Sequence, residues 1–272
     1  MKKIGLLLFF FCSFSFAKAQ GNASKELVLA YHQQMLMQRV NKAYTAITFG
    51  VSKKANIKQM NADVVSIEES WAELDATAPN KSSQKEMLVL KDLWLKHLKI
   101  VEEGAYNKDG VLAVLKSNKE LLKTSEEIDN HLKEYIEKHS KENNKFNTLL
   151  VLSYLGEQDA MVQRISTLFL VNFWEVNYMG CVRELDDLII DYEAEMSQIL
   201  EFSSKIDNLY NFLLTSLEEW QKFERECTKI DTHRRSDIDF DEVLLGSSRL
   251  SEHLEQAMEM VLSISVSEVA RD

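Results

Sequence analysis

Histidines are the first side chains to consider as metal ligands or proton carriers in this chain. The six histidines form neither a Glu-x-x-His nor a His-x-x-x-His spacing, so the ligand patterns of bundle di-iron proteins and of helical zinc pairs are missing. A Gly-rich phosphate loop and a G-x-S-x-G nucleophile motif are missing from the sequence as well. We therefore expect no metal, no cofactor and no enzymatic activity. His97 is expected to be a packed histidine of the third helix.

A short acidic ladder, Asp237, Asp239 and Asp241, has the alternation of a calcium loop. Glu242 stands where an EF-hand needs its turn glycine, and Ser248 stands where it needs the closing glutamate. Carboxylates that precede a helix also interact favourably with its positive N-terminal end. We interpret the ladder as the start of a helix near Asp241.

A polar and apolar signature occurs twice in the chain, 125 positions apart and without a gap. The first copy reads Q-Q-M-L-M-Q-R-V over residues 33–40, and the second reads Q-D-A-M-V-Q-R-I over residues 158–165. The match continues downstream, where Glu68 corresponds to Glu193. Such self-similarity indicates that one structural unit was duplicated.

Six residues of this signature are candidates for ligand binding: Gln34, Gln38, Arg39, Asp159, Gln163 and Arg164. With Leu36 at the centre of the buried stripe, a helical wheel places Gln34 and Gln38 nearly opposite it and Arg39 at its border. We expect the two glutamines to face outward. The arginines have two interpretations, which are a ligand contact or a boundary arginine that hydrogen-bonds a neighbouring carboxylate or carbonyl.

Long helices must carry the two copies of the signature, because the chain has only one proline and eight glycines. Apolar residues recur three and four positions apart in both halves, which indicates amphipathic helices. We predict an all-α fold of two tandem antiparallel four-helix bundles, residues 22–141 and 146–268, from an internal duplication. The polar junction over residues 139–147 could be a loop or a continuous helix.

The N-terminus has the pattern of a secretory signal peptide. Two lysines precede an apolar run over residues 4–16, and an A-x-A site ends at Ala19. We predict a signal peptide, residues 1–19, and a periplasmic or secreted protein without membrane insertion after cleavage; an uncleaved anchor is the alternative. Removing the three lysines of this segment takes the formal charge from -11 to -14, which argues against a nucleic-acid partner.

Two cysteines remain after cleavage, Cys181 and Cys227. If helices flank a turn near residues 204–206, antiparallel packing brings the two cysteines level. An oxidising compartment would then permit a disulfide. Two free buried thiols are the alternative, because a disulfide requires a Cα separation of roughly 4.4 to 6.8 Å.

The first copy and its flanks, residues 31–76, resemble the N-terminal domain of type IV pilus methyl-accepting chemotaxis transducers. The residues that carry the resemblance are Gln33, Met35, Leu36, Gln38, Arg39, Lys42, Tyr44, Gly50 and Val51. The second copy, residues 156–200, is similar to the same domain. The resemblance implies a periplasmic sensory helical bundle, related to the sensor domains of nitrate and nitrite sensor kinases.

In those relatives an arginine just before the methionine of the first helix holds the anion between two subunits. This chain has Gln34 at that position in the first copy and Asp159 in the second. We therefore expect an exported, non-enzymatic, sensor-like binding module, with a small polar ligand or an envelope receptor as its target and a homodimer as a further option. The alternative is a purely structural or protein-interaction bundle of the cell envelope.

Overall fold

The computed structural model of the chain describes residues 20–77, 81–139, 143–204, 206–229 and 238–269. Within these ranges the chain forms eight helices and no strand, so the predicted all-α class is confirmed. The helices are α1 (Gln20–Thr48), α2 (Lys53–Thr77), α3 (Lys81–Glu103), α4 (Lys108–His139), α5 (Asn143–Phe173), α6 (Cys181–Ser203), α7 (Asp207–Thr228) and α8 (Phe240–Val269). None of them is long and apolar enough to cross a membrane. The predicted signal peptide lies outside the described residues.

Helices α1 and α5, which carry the two copies of the signature, lie side by side. A Cβ atom on Gly156 would lie 2.5 Å from the Cβ atom of Tyr31, so the two helices are in direct contact at these residues. Near their last turns the ring of Phe49 stacks on that of Trp174, with centroids 4.5 Å apart. Both contacts join positions 125 apart. Helices α1 and α5 therefore run parallel and in register.

The remaining helices surround this central pair. Helix α1 also packs against α2 and α4, and α5 packs against α6 and α8. The outer helices α3 and α7 pack on α4 and α8. Buried apolar side chains from all eight helices of the described residues form one contiguous core, with Trp94 and Trp220 fully enclosed. The junction between α4 and α5 separates two helices, and residues 140–142 lie outside the described ranges.

The central position of α1 leaves it without an exposed face. Every residue from 33 to 47 except Arg39 is buried. A helix that covers one side of a core keeps a polar face in water, whereas a helix surrounded by others cannot. The expectation that Gln34 and Gln38 face outward is therefore wrong, because α5 and its neighbours cover that side of α1.

Of the two alternatives for Cys181 and Cys227, the structure has two free, buried thiols rather than a disulfide. The turn between α6 and α7 does lie near residues 204–206, as predicted. However, Cys181 begins α6 and directs its Sγ toward Leu168 O of α5 at 3.4 Å. Helix spacing places the two cysteines at the same level but does not aim their side chains at each other.

The correspondence between the two halves extends to the ends of the central helices. After α1, Gly50 adopts φ 78°, and hydrogen bonds run from Gly50 N to Ile47 O at 3.1 Å and from Val51 N to Ala46 O at 2.9 Å. This is a Schellman motif, which satisfies the last carbonyls of a helix. The same two bonds follow α5, but there the left-handed residue is Glu175, at φ 53°. A residue with a Cβ atom is strained in this conformation by about 1 kcal/mol.

Replacing Glu175 with glycine should relieve this strain. We expect Glu175→Gly to raise the free energy of unfolding by about 0.5 to 1 kcal/mol, measured by urea denaturation. The matched control is Gly50→Ala, which introduces a Cβ atom at the equivalent position and should lower it by a similar amount. Equal effects of the same sign in the two variants would contradict the assigned motif.

Candidate functional site

The candidate site is a buried polar seam between α1 and α5. We define the seam as Gln34, Gln38 and Lys42 of α1 together with Asp159, Gln163 and Thr167 of α5, which occupy equivalent positions in the two copies. The four predicted site residues among them, Gln34, Gln38, Asp159 and Gln163, are 8%, 2%, 1% and 0% exposed. The structure thus brings these four residues to one interface inside the chain.

Asp159 is the acidic residue of the seam. Its Oδ1 atom accepts hydrogen bonds from Ser251 Oγ at 2.7 Å and from Gln163 Nε2 at 3.5 Å. Burial raises the pKa of Asp159, although the Ser251 hydrogen bond and the charges of Arg39 and Lys42 act in the opposite direction. The seam therefore holds a carboxyl group of its own, within electrostatic reach of two cationic side chains.

Lys42 is the basic residue of the seam, and the sequence interpretation did not include it among the site residues. Its side chain is buried and its Nζ atom donates a hydrogen bond to Ser247 Oγ of α8 at 2.9 Å. Burial lowers the pKa of Lys42 to about 7, and the nearby charge of Arg39 lowers it too. The position was readable from the sequence, because Lys42 follows Gln34 and Gln38 at four-residue spacing on one side of α1.

The two signature arginines are boundary residues that bind carboxylates, which confirms the second of their two interpretations. Arg39 makes a bidentate pair with Asp63 of α2, with Nε to Oδ2 at 2.9 Å and Nη2 to Oδ1 at 2.6 Å. Arg164 binds Glu184 of α6, with Nε to Oε1 at 2.7 Å. The acidic partner is one helical turn displaced between the copies, since Gln59 is the residue equivalent to Glu184. Each arginine fastens a central helix to the next helix of its own repeat.

The first glutamine of each copy makes the same contact in both halves. Gln33 Nε2 donates to Ile67 O of α2 at 3.5 Å, and Gln158 Nε2 donates to Tyr192 O of α6 at 3.0 Å. Ile67 and Tyr192 are themselves 125 positions apart. The shared part of the signature therefore holds equivalent helices together.

Gln38 and Arg164 border a small enclosed cavity. The Gln38 and Asn118 side-chain amides bind each other in both directions, at 3.1 and 2.9 Å. The cavity beyond them has a volume of about 10 Å³ and is also lined by Tyr178 and Glu184. This is about the space that one water molecule occupies. A polyatomic ligand does not fit there without movement of the helices.

His97 is a packed histidine, as predicted. It is 1% exposed, and its two ring nitrogens lie 2.7 Å from Ser117 Oγ and 2.8 Å from Asn41 Oδ1. Burial lowers the pKa of His97 to about 4. The histidine is therefore neutral at physiological pH and joins α3 to α1 and α4.

The acidic ladder starts a helix, as predicted. Asp239 Oδ1 accepts a hydrogen bond from Glu242 N at 3.1 Å in the first turn of α8, and Asp241 accepts one from Ser52 Oγ at 2.6 Å. Asp237 lies outside the described residues. These two carboxylates line an open depression of about 510 Å³ beside the α1–α2 turn. Among the described residues, no group of three or more His, Cys, Asp or Glu side chains is placed to hold a metal ion.

A partly buried acidic cluster lies around Tyr31 of α1 and Glu157 of α5, and no sequence pattern pointed to it. Glu157 of α5 accepts hydrogen bonds from Tyr31 Oη at 3.0 Å and from Lys133 Nζ. Glu195 of α6 shares a hydrogen bond with Glu157, and burial raises the pKa of Glu195 to about 8. Burial also raises the pKa of the neighbouring Asp129. The cluster escaped sequence analysis because its members come from four helices at unrelated spacings.

Comparison of the chain with protein families, with curated proteins and with solved structures finds no match. The resemblance to type IV pilus chemotaxis transducers stays a prediction that rests on the residues of the two signatures.

Because the pKa of Glu195 is raised, we predict that the free energy of unfolding decreases as the pH rises. Its carboxyl is protonated up to about pH 8 in the folded state but only up to about pH 4.5 in the unfolded chain, so the folded state binds the extra proton between these values. We expect Glu195→Gln to match the wild type at pH 5 and to be about 2 kcal/mol more stable at pH 8, measured by urea denaturation. The matched control is Glu193→Gln, which makes the same substitution at an exposed position of the same helix. A constant difference for Glu195→Gln would contradict the assignment.

Proposed function

We propose that this chain is an exported, non-enzymatic helical binding module, related to the sensor bundles that its two copies resemble, and that it binds an envelope protein rather than a small anion. In this proposal the chain consists of two tandem four-helix bundles from one duplicated unit, cleaved from a signal peptide. The observation that carries the proposal is the polar seam, which is buried where the resemblance would place a ligand and is held by hydrogen bonds to Asn118, Ser247 and Ser251 of α4 and α8.

The chemistry of the seam is unfavourable for an anion such as nitrate. Gln34 Oε1, Asp159 Oδ2 and Gln163 Oε1 are buried oxygens that accept no hydrogen bond within the described residues. An anion is bound by donors and by positive charge, and it is repelled by carbonyl and carboxylate oxygens. These oxygens are acceptors without donors, so they would repel a bound anion rather than hydrogen-bond to it.

The positive charges near the seam are already engaged. Arg39 binds Asp63 through both its Nε and Nη2 atoms. Lys42 has a pKa of about 7 because of burial, so it is charged only in part at neutral pH. The Asp159 carboxyl group lies within electrostatic reach of both residues. We infer that this internal carboxylate takes the place of an external anion.

The parallel pairing of α1 and α5 supports the same proposal. The relatives named above hold their ligand between the first helices of two subunits, and in this chain the two first helices belong to one polypeptide. Duplication would then have converted a subunit interface into an internal one. Recognition is left to the helices that surround the central pair, which expose large apolar side chains in both halves: Val65, Leu88, Leu95, Ile190 and Leu214.

A thermal-shift experiment on the protein that starts at Gln20 tests the proposal. Binding to the folded state raises the melting temperature as the ligand concentration exceeds its dissociation constant. We expect no shift with nitrate, nitrite, acetate or formate beyond that of chloride at equal ionic strength. A saturable shift with any one of them would contradict the proposal and would restore a small-ligand sensor.

Removing the internal carboxylate should create the anion site that the wild type lacks. Asp159→Ala leaves Lys42 and Arg39 without that charge and leaves space for a small anion. We expect the variant to be destabilised by about 2 kcal/mol and to regain stability with added formate or nitrate, measured as melting temperature against anion concentration. The control is Asp75→Ala, which removes an exposed carboxylate from α2 and should not respond. If formate and nitrate stabilise Asp159→Ala no more than wild type, the carboxylate does not occupy an anion position.

A further inference from the structure

Helix α2 carries its charges in the order that its own dipole disfavours. Its first six residues include Lys53, Lys54 and Lys58, and no acidic residue lies in its first turn. Acidic residues occupy its second half, where Glu68 and Glu69 are exposed, and no basic residue lies in its last turn. Helix termini favour the reverse order, because the N-terminal end is positive and the C-terminal end negative. A local rule broken in this way calls for a compensating contact.

The misplaced charges lie on one exposed face of α2, which we call the α2 face. With Val65 as its centre at 100° per residue, the residues within about 60° are Lys54, Lys58, Asn61, Ala62, Glu68, Glu69, Ala72 and Ala76. All of them are exposed, and Val65 is 51% exposed. Ile57, which the apolar spacing places on the buried stripe, is 38% exposed beside this face. The face thus has a basic end, a small apolar centre and an acidic end.

Within the described residues, the charges of the α2 face have no ion-pair partner. Ion pairs join exposed side chains on other helices, such as Lys96 with Asp92 on α3 and Arg183 with Asp187 on α6. No such pair includes Lys54, Lys58 or Glu68. Side chains of both signs are therefore free to contact another molecule.

We propose that the α2 face binds the α2 face of a second copy of this chain, in antiparallel orientation. Reversing one helix places its acidic end against the basic end of the other, so that the order of charges along α2 complements itself. The two helix dipoles are then also antiparallel. The contact therefore gives opposite charges to the basic N-terminal end and the acidic C-terminal end of α2, which the helix dipole disfavours.

The spacing of residues along α2 fixes the register of this pair. A two-fold axis between Ala62 and Val65 brings Val65 of each copy against Ala62 of the other, where the small side chain leaves space for the larger one. The same axis brings Lys58 of each copy opposite Glu68 and Glu69 of the other. An isologous contact of this kind uses one surface twice and closes at two copies.

The equivalent face of α6 does not have this property, which limits the contact to α2. The residues that correspond to Asn61 and Ala62 are Asp186 and Asp187, so the centre of the α6 face is acidic. An antiparallel α6 pair would bring these carboxylates together, and like charges at a close contact repel. Because each chain has one self-complementary face, assembly stops at the dimer.

Sedimentation velocity of the protein that starts at Gln20 tests the proposal. We expect a concentration-dependent equilibrium between monomer and dimer at about 0.05 M NaCl. At about 0.5 M NaCl the equilibrium should shift to monomer, because the Debye length is shorter at higher salt and attraction between exposed charges is screened more strongly. Lys54→Glu with Lys58→Glu should weaken dimerisation at least about tenfold, since each change replaces attraction with repulsion. Adding Glu68→Lys and Glu69→Lys to that variant reverses every charge and should restore the dimer. Circular dichroism verifies that all variants keep their helix content.

The control is Lys85→Glu with Lys99→Glu, which makes the same change of net charge on the exposed side of α3 and should leave the dimer intact. A wild type that stays monomeric at low salt would overturn the proposal, as would a dimer that survives the two α2 lysine changes or is not restored by the full charge swap. The proposal is independent of anion binding at the seam, so a thermal shift with nitrate and the loss of the dimer are separate results.

Discussion

The parallel, in-register pairing of α1 and α5 is the constraint on which the rest of the structure depends. Because positions 125 apart meet across this pair, the seam residues of one signature lie near their counterparts in the other. A buried polar group must find a partner or lose its hydration without compensation. The seam meets this demand with contacts to α4 and α8, through Asn118, Ser247 and Ser251. Buried polar groups at such positions also specify register, because a shifted pairing would separate them from their partners.

The sequence predicted the helices well, because periodicity and turn residues report on local structure. It placed the end of α1 at Gly50, the turn before α7 and the acidic start of α8 correctly. It failed where the outcome depends on contacts between distant segments. The helical wheel placed Gln38 opposite the one apolar stripe that it considered. It holds no information about α5, which covers the opposite side of α1. The cluster around Glu157 was missed for the same reason, since its members come together only after four helices pack.

Divergence between the two copies is concentrated where equivalent residues have different surroundings. The shared Gln33 and Gln158 keep the same hydrogen bond within each repeat, so they are retained. Gln34 and Asp159 lie at the seam, where the two copies contribute different residues. The carboxyl of Asp159 lies within electrostatic reach of Lys42, and no second carboxyl occupies the equivalent position. On the outside, α2 and α6 share exposed apolar positions but differ in the charges around them. The internal pair thus fixes the fold, while the outer faces are free to acquire different partners.

The contact between Tyr31 and Gly156 allows the most direct measurement of the central pairing. Alanine in place of a helical glycine ordinarily stabilises a helix by about 1 kcal/mol. Here its Cβ atom would collide with Tyr31, so the pairing predicts that Gly156→Ala lowers the free energy of unfolding in urea. In the Tyr31→Gly background, which removes the colliding Cβ atom of residue 31 as well as the ring, the same substitution should be neutral or stabilising, which gives a large coupling energy between the two positions. An equal loss in both backgrounds would mean that α1 and α5 do not meet at these residues and would contradict the account.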